Sequence, residues 1–159
     1  ILILGAASGI GEQVVKDLAG SGCNLLLSYN ENKPVADPAE CIQVDASSFL
    51  SVENFVERGI QKFNSIDGII NLPGNLILKP PHLSTEEEFQ STIDINLKSA
   101  FAVVRAAGKL LNNTSIVLMS TSATKVGLAN HELIVSAKAG IEGLARSAAK
   151  TYAKKNLNY

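Results

Sequence analysis

A bare apolar run, Ile1-Leu2-Ile3-Leu4, passes directly into Gly5-Ala6-Ala7-Ser8-Gly9-Ile10-Gly11. A strand that turns through three glycines into a helix constrains the fold more than any other stretch of this chain. Without Cβ atoms in the way, the turn is tight and its backbone can approach a pyrophosphate. The free N–H groups and positive end of the following helix then face the anion. The first hypothesis is a dinucleotide held at the end of the first strand. A glycine triplet by itself also suits a small-residue turn used for close packing, so the rest of the chain has to decide.

Downstream, apolar runs alternate between short and long, the pattern of a βαβ series with a parallel sheet. Strands are predicted at 1–4, 24–28, 41–44, 66–71 and 115–120. Helices are predicted over about 10–20, with Val14, Val15 and Leu18 on the inner stripe, and over about 48–63, with Phe55, Val56, Ile60 and Phe63 at helical spacing. A Pro- and Gly-rich loop, 73–83, leads to a third, long helix over about 84–111, with Ser84 and Glu87 as its capping box. A fourth runs over about 132–154. The strands are continuously apolar, as expected where both sheet faces are covered. Only twelve residues, 29–40, join strands two and three, and Pro34 and Pro38 lie among them, so a helix there is one turn long or absent. Right-handed crossovers then give an α/β fold, a three-layer doubly wound parallel sheet of order 3-2-1-4-5. The order reverses between strands one and four, and ligands bind over the carboxyl ends of the strands at such a point. The glycine loop, Asn71, Ser120 and Thr121 all end there.

The 159 residues, 46% of them hydrophobic, suit one domain over 1–159 with a proper core. A formal net charge of -1 gives no reason to expect nucleic acid. Lys150, Lys154 and Lys155 read as one solvated helix end. No run is long and apolar enough to span a bilayer, and no signal peptide, repeat or metal-ligand cluster stands out. Cys23 and Cys41 are expected to be buried free thiols in a reducing cytoplasm. Both ends look cut: the chain starts inside a strand, and a further strand could be starting at Asn156-Leu157-Asn158-Tyr159.

Further motifs follow the glycine loop in order. Val44-Asp45-Ala46 follows strand three, Asn71-Leu72-Pro73-Gly74 ends strand four, and Asn96 lies mid-helix in Asp94-Ile95-Asn96-Leu97. Ile116-Val117-Leu118-Met119-Ser120-Thr121 precedes Ser136-Ala137-Lys138-Ala139-Gly140. Together with the Gly5-x-x-x-Gly9-x-Gly11 spacing, these resemble the short-chain dehydrogenase/reductase family over essentially the whole chain. The resemblance implies a Rossmann fold lacking its C-terminal strands, and an oxidoreductase that moves a hydride between NAD(P)(H) and a small organic substrate. It implies that Gly5, Ser8, Ile10 and Gly11 contact the pyrophosphate and nearby ribose, and that Asp45 accepts from the adenine amine with Ala46 beside it. Asn71 and Gly74 would border the adenosine ribose. Lys138 would hold the nicotinamide ribose hydroxyls, Asn96 a water of the proton relay, and Thr121 would supply the catalytic hydroxyl. On residue type alone Asp45 also suits a helix N-cap, Asn96 a helix kink, and Lys138 an ordinary surface lysine.

The departures bear on chemistry. The family's catalytic tyrosine stands four residues before the lysine, one turn away on the same face. A lysine ammonium there brings the phenol's pKa, ordinarily about 10, toward working pH. Here that position is Ile134, which carries no proton. His131, seven residues before Lys138, is a candidate acid or a plain helix-end residue. Reduction of a conjugated C=C bond needs this tyrosine less, because the proton can arrive later from solvent. A silent dinucleotide-binding protein, regulatory or a partner subunit, is the competing reading. A methyltransferase reading would need an acid ending strand two, where Tyr29 stands. Leu4 and Leu72-Pro73 also replace the family's usual polar residues. At the sites that choose between NAD(H) and NADP(H), Tyr29 and Asn30 offer neither acid nor arginine, and Lys33 tips the expectation slightly to NADP(H). The long helices, about 84–111 and 132–154, carry more apolar surface than one sheet face needs, and predict a homodimer or homotetramer.

Overall fold

A computed structural model describes residues 1–34 and 39–159. Strands β1 (Leu2–Leu4), β2 (Leu26–Tyr29), β3 (Glu40–Gln43), β4 (Gly68–Asn71), β5 (Thr114–Leu118) and β6 (Leu157–Asn158) form one sheet of order β3-β2-β1-β4-β5-β6. All its pairings are parallel. The expected order holds, and β6 extends it at the place where the sequence suggested a further strand. The short crossover weighed for 29–40 includes 35–38, which lie outside the described residues.

Helix α1 (Gly9–Gly20) packs on one face of the sheet, with Val14, Val15 and Leu18 against Ile3, Leu25 and Leu27. On the other face lie α2 (Phe49–Phe63) and α4 (Ser99–Leu110), around Leu2, Leu4, Leu26, Ile69 and Ile116. The α1 side is covered only in part. Along β5 burial alternates instead of running continuously, and Val117 is 48% exposed. The expectation of two fully covered faces therefore fails at β5: the cluster under α1 takes in β1, β2, Cys41 of β3 and Ile70 of β4, and stops short of β5. Cys23 and Cys41 are free thiols and half-buried, not buried.

The long helix starts one residue later than expected. Ser84 Oγ donates to the Pro80 carbonyl and closes a 3-10 turn over Pro81–Leu83. The capping box is therefore Thr85 with Glu88, not Ser84 with Glu87, and it opens α3 (Glu86–Thr92). The expected rod to residue 111 is also not uniform. Ile93–Lys98 forms a π-helical segment between α3 and α4. Polar side chains inside it compete for helix carbonyls: Asn96 Nδ2 donates to Thr92 O at 3.1 Å, and Ser99 Oγ to Ile95 O at 2.6 Å. Such π bulges concentrate at functional sites. A short α5 (Ala123–Val126), unforeseen in the sequence, follows β5. The last helix, α6 (Glu132–Thr151), ends earlier than expected, and a 3-10 turn over Ala153–Lys155 leads to left-handed Asn156 and β6.

Candidate functional site

At the exits of β1, β2, β3 and β4 lies a cleft of about 440 Å³. Gly5 opens it with φ +76°, a conformation L side chains rarely adopt, and an added Cβ would stand 2.9 Å from the Pro73 nitrogen. Gly11 is needed for contact: a Cβ there would lie 2.5 Å from the Gly5 carbonyl oxygen. The loop can fold back on its own helix only because that atom is absent. Ser8 caps α1 by accepting from Gly11 N–H at 3.0 Å. This leaves the first-turn N–H groups of Gly9 and Ile10 without intrahelical partners. A Cβ at Gly9 would meet nothing within 4 Å, so the approach to those donors is open.

Of the residues read from sequence as cofactor-binding, Gly5, Ser8, Tyr29, Asn30, Asp45, Ala46 and Gly74 line this cleft. Ile10 and Gly11 belong to the loop that frames it. Asn71 ends β4 fully buried, and its side chain turns to α4, where Nδ2 donates to Ser99 Oγ at 3.3 Å. Asp45 does not cap α2; Ser48 does. Asp45 Oδ1 instead accepts from the Ser47 N–H at 2.9 Å and its hydroxyl at 2.7 Å. The β2 exit is pinned to β3, with Gln43 Nε2 donating to Asn30 O at 2.8 Å.

Gly74 connects this cleft to a second group of residues. A Cβ there would lie 3.0 Å from Asn96 Oδ1, tighter than ordinary contact, and 3.9 Å from Lys138 Nζ, so Gly74 borders both side chains and makes room for the first. Asn96 is buried, and its Nδ2 donates to Asn75 Oδ1 at 2.8 Å, to Asn75 O at 3.3 Å and to Thr92 O. With the amide committed, Oδ1 is left buried and unpartnered, an acceptor awaiting a donor. Lys138 is half-buried on α6, and no hydrogen bond or ion pair holds it among the described residues. Burial lowers its ammonium below the ordinary lysine range. Lys138 is thus not the solvated lysine of an ordinary helix face.

Ile134, one turn before Lys138, is 6% exposed. Thr121 stands half-buried after β5, its Oγ1 accepting from the Ala123 N–H at 3.3 Å. His131 precedes the first turn of α6, with Nδ1 2.8 Å from the Ala129 carbonyl oxygen. Three residues that the sequence reading passed over join the site. Asn75 orients Asn96. Glu31 lies on the cleft wall. Glu142 Oε1 accepts from Ser120 Oγ at 2.6 Å and Thr124 Oγ1 at 2.7 Å, tying the Thr121 turn to α6. Those hydrogen bonds, Ser120 first, hold its carboxyl below the ordinary range. Its spacing of four from Lys138, which sets both on one face of α6, was the available signal. Among the described residues no group of side chains forms a metal site.

A parallel sheet with a glycine turn, an open helix N-terminus and a cleft over its switch point defines a doubly wound α/β protein. The chain belongs to the short-chain dehydrogenase/reductase family: residues 5–158 match the family model described as enoyl-(acyl carrier protein) reductase. It is 30% identical, over 92% of its length and 60% of the other's, to the hydroxynaphthalene reductase-like protein Arp2 of Metarhizium anisopliae. It is 28% identical to the 3-oxoacyl-[acyl-carrier-protein] reductase FabG of Staphylococcus aureus, over 98% of this chain and 69% of that one. The fold matches the sorbitol-6-phosphate 2-dehydrogenase SrlD of Erwinia amylovora with a TM-score of 0.89, at 21% identity, over 98% of this chain and 67% of that one. The chain thus spans about 60% of the length of the Arp2 relatives.

Proposed function

We propose that this chain binds a nicotinamide dinucleotide and serves hydride transfer to or from a small organic substrate, a conjugated C=C bond or a carbonyl/alcohol pair. One observation carries the reading: Gly74 joins the cleft at the helix N-terminus to the unpartnered pair Asn96 Oδ1 and Lys138 Nζ. The residues fit such a cofactor. Gly9 and Ile10 N–H groups would receive the pyrophosphate, with Asp45 and Ala46 beside the adenine. The dinucleotide, when bound, supplies or takes up the hydride.

The remaining steps fall to the chain's own groups. Lys138, lacking an acceptor among the described residues, would donate to the nicotinamide ribose hydroxyls. Asn96 Oδ1 would accept from a water beside it and keep that water near the ammonium. Thr121 would donate its hydroxyl to a substrate oxygen, from a turn steadied by Glu142. Ile134 supplies no proton. A C=C substrate therefore fits this site better than a ketone, since its second hydrogen can come from solvent after the hydride has added. His131, with one nitrogen on the Ala129 carbonyl, is the other candidate acid.

The reading extends to assembly and place. Apolar Phe89 and Phe101 on α3 and α4 are 47% and 49% exposed, which supports pairing of these helices and α6 about a two-fold axis in a homodimer or homotetramer. No described helix is long and apolar enough to cross a membrane, and the two free thiols support a cytoplasmic setting.

The test is calorimetry with NADH and NADPH, then turnover of a panel of ketones and enoyl thioesters followed at the nicotinamide absorbance. Binding of either dinucleotide, and turnover of an enoyl thioester ahead of any ketone, is expected. No binding at millimolar dinucleotide overturns the reading.

A further inference from the structure

We propose that Asn75 is a positioning residue for hydride transfer: its side chain holds the Asn96 amide in one orientation, so that Oδ1 faces Gly74 and the Lys138 ammonium. The inference rests on the hydride-transfer reading above and adds to it a residue that lies off the cleft wall.

The two ends of an asparagine amide are nearly alike in shape and opposite in hydrogen bonding. Which end a buried amide presents is decided by its neighbours. Around Asn96 those neighbours are acceptors. Nδ2 donates to Thr92 O at 3.1 Å and to Asn75 O at 3.3 Å. Its shortest bond, 2.8 Å, goes to the side-chain Oδ1 of Asn75. All three oxygens can only accept, and two of them belong to Asn75. Reversed, the amide would set Oδ1 against these oxygens and turn its N–H bonds toward Gly74.

Asn75 is itself held. Its Nδ2 donates to Ser91 Oγ on α3 at 3.2 Å, which fixes the atom that meets Asn96. The hydrogen bonds therefore run in one direction, from Asn96 to Asn75 to Ser91. Aligned bonds of this kind polarise one another, and an amide that donates from Nδ2 becomes a better acceptor at Oδ1. The inner end of the chain is Asn96 Oδ1, buried and unpartnered. A Cβ on Gly74 would lie within 4 Å of both this oxygen and Lys138 Nζ, so the two border one gap. Asn75 thus decides whether that gap offers the ammonium, or a water beside it, an acceptor or a competing donor.

The experiment compares two variants. Asn75→Leu removes both polar arms at similar size and keeps the main-chain carbonyl. Asn75→Asp keeps an acceptor toward Asn96, while the Ser91 hydroxyl turns to donate. Turnover of an enoyl thioester and NADH calorimetry are read beside the titration of Lys138, followed by NMR of isotope-labelled lysine. In Asn75→Leu, kcat is expected to fall about three- to tenfold with NADH affinity within about twofold of the native chain. Asn75→Asp is expected to recover most of that loss. Lys138 is expected to titrate below its native value in Asn75→Leu, because N–H bonds turned toward the ammonium disfavour its charge. Loosened packing has the opposite sign, since water reaching the ammonium raises its pKa toward the ordinary lysine range. Unchanged turnover and titration in Asn75→Leu overturn the assignment. So does a raised Lys138 pKa there, or an equal loss of turnover in the two variants. Should Asn75→Leu fail to fold, Ser91→Ala, which removes only the anchor of Asn75, is expected to move both readouts the same way by a smaller step, and no movement overturns the assignment. If the native chain binds no dinucleotide or turns over no substrate, the hydride-transfer reading falls, and the Lys138 titration alone decides Asn75.

Discussion

The two ends of the site are built in different ways. At the proposed adenosine end the donors would be backbone N–H groups, and the wall comes from the exits of four strands. Side chains there mostly brace the loops, as Ser8 braces the glycine turn and Gln43 the β2 exit. At the proposed reaction end the donors and acceptors would be side chains from separate elements: Asn96 from the π segment, Lys138 from α6, Thr121 from the turn after β5. Backbone binding needs glycines and a helix start, and these come with the fold. Side-chain chemistry needs one residue of the right kind at each place. On the proposed reading, the proton donor can therefore be missing at Ile134 while the sheet and the glycine turn stay intact. Gly74 is where the two designs touch.

The comparison is broken most directly at the adenosine end. In Gly11→Ala the new Cβ must push against the Gly5 carbonyl 2.5 Å away and the Ala6 backbone 2.8 Å away, which cannot swing aside as side-chain ends do. Overpacking of this sort costs about 1–3 kcal/mol. It also moves the donors of α1, so nucleotide affinity is expected to fall at least about a hundredfold. The control is Gly20→Ala, at the other end of α1, where an added Cβ would meet nothing within 4 Å and affinity should stay nearly unchanged. Thermal melts and calorimetry of the pair decide it. A well-bound nucleotide in Gly11→Ala would mean the anion site is not made by this turn.

At the reaction end, Asn96→Leu removes the amide that serves Asn75 and Thr92. Taking that donor from the half-buried Asn75 and the buried Thr92 costs about 1–3 kcal/mol. The π segment is then expected to relax toward ordinary helix. Asn75→Ala removes only one of these acceptors, so a smaller loss of melting temperature is expected, with the bulge kept. Amide exchange across 92–99 tells the two apart. Equal loss of protection in both would make Asn75 as central as Asn96.

These features were unequally legible in the sequence. The strand order and the glycine turn could be read because spacing and apolar periodicity encode them. The capping residue was misplaced by one because Ser84 and Thr85 are chemically alike; only the 3-10 turn at Pro81–Leu83, which uses up the Ser84 hydroxyl, separates them. Of the π segment only a kink at Asn96 could be read; turning back onto the Thr92 and Ile95 carbonyls is one of several bonds that Asn96 and Ser99 could make. Along the β2 exit, counting from the glycines pointed to Tyr29 and Asn30. The anchored turn brings Glu31 to the wall as well, and its charge changes the electrostatics there. Continuous burial of β5 was misjudged because burial depends on what packs over a strand, which the strand's own residues do not state.

A gain of function at Ile134 sharpens the contrast from the other side. In Ile134→Tyr a phenol is placed one turn from the Lys138 ammonium, and general acid catalysis by a positioned group contributes about 10²–10⁴-fold. The site is 6% exposed, so the ring has to find room, and only part of that gain is expected: roughly tenfold or more in ketone reduction. Turnover of enoyl thioesters should change little. If the native chain already reduces ketones well and the tyrosine adds nothing, the missing acid is supplied elsewhere, and His131→Ala shows whether His131 supplies it.

The smallest effect expected is on stability at Lys138. Its pKa in the folded chain lies below the ordinary 10.5, with burial as the cause, so folding disfavours its charged form. Between the folded and unfolded values the unfolded chain binds more protons, and stability rises with pH across that window. Below it the cost is fully present; above 10.5 it vanishes. Lys138→Met removes the cost, so a small rise in Tm is expected at pH 7, shrinking toward zero as pH passes 10.5. The same variant should weaken NADH, because the ribose hydroxyls lose their donor. A side chain kept at some expense to the fold and needed for the ligand belongs to function. If Lys138→Met instead lowers Tm and leaves NADH binding intact, Lys138 is a structural residue, and the reaction end loses the group that joins it to the cleft.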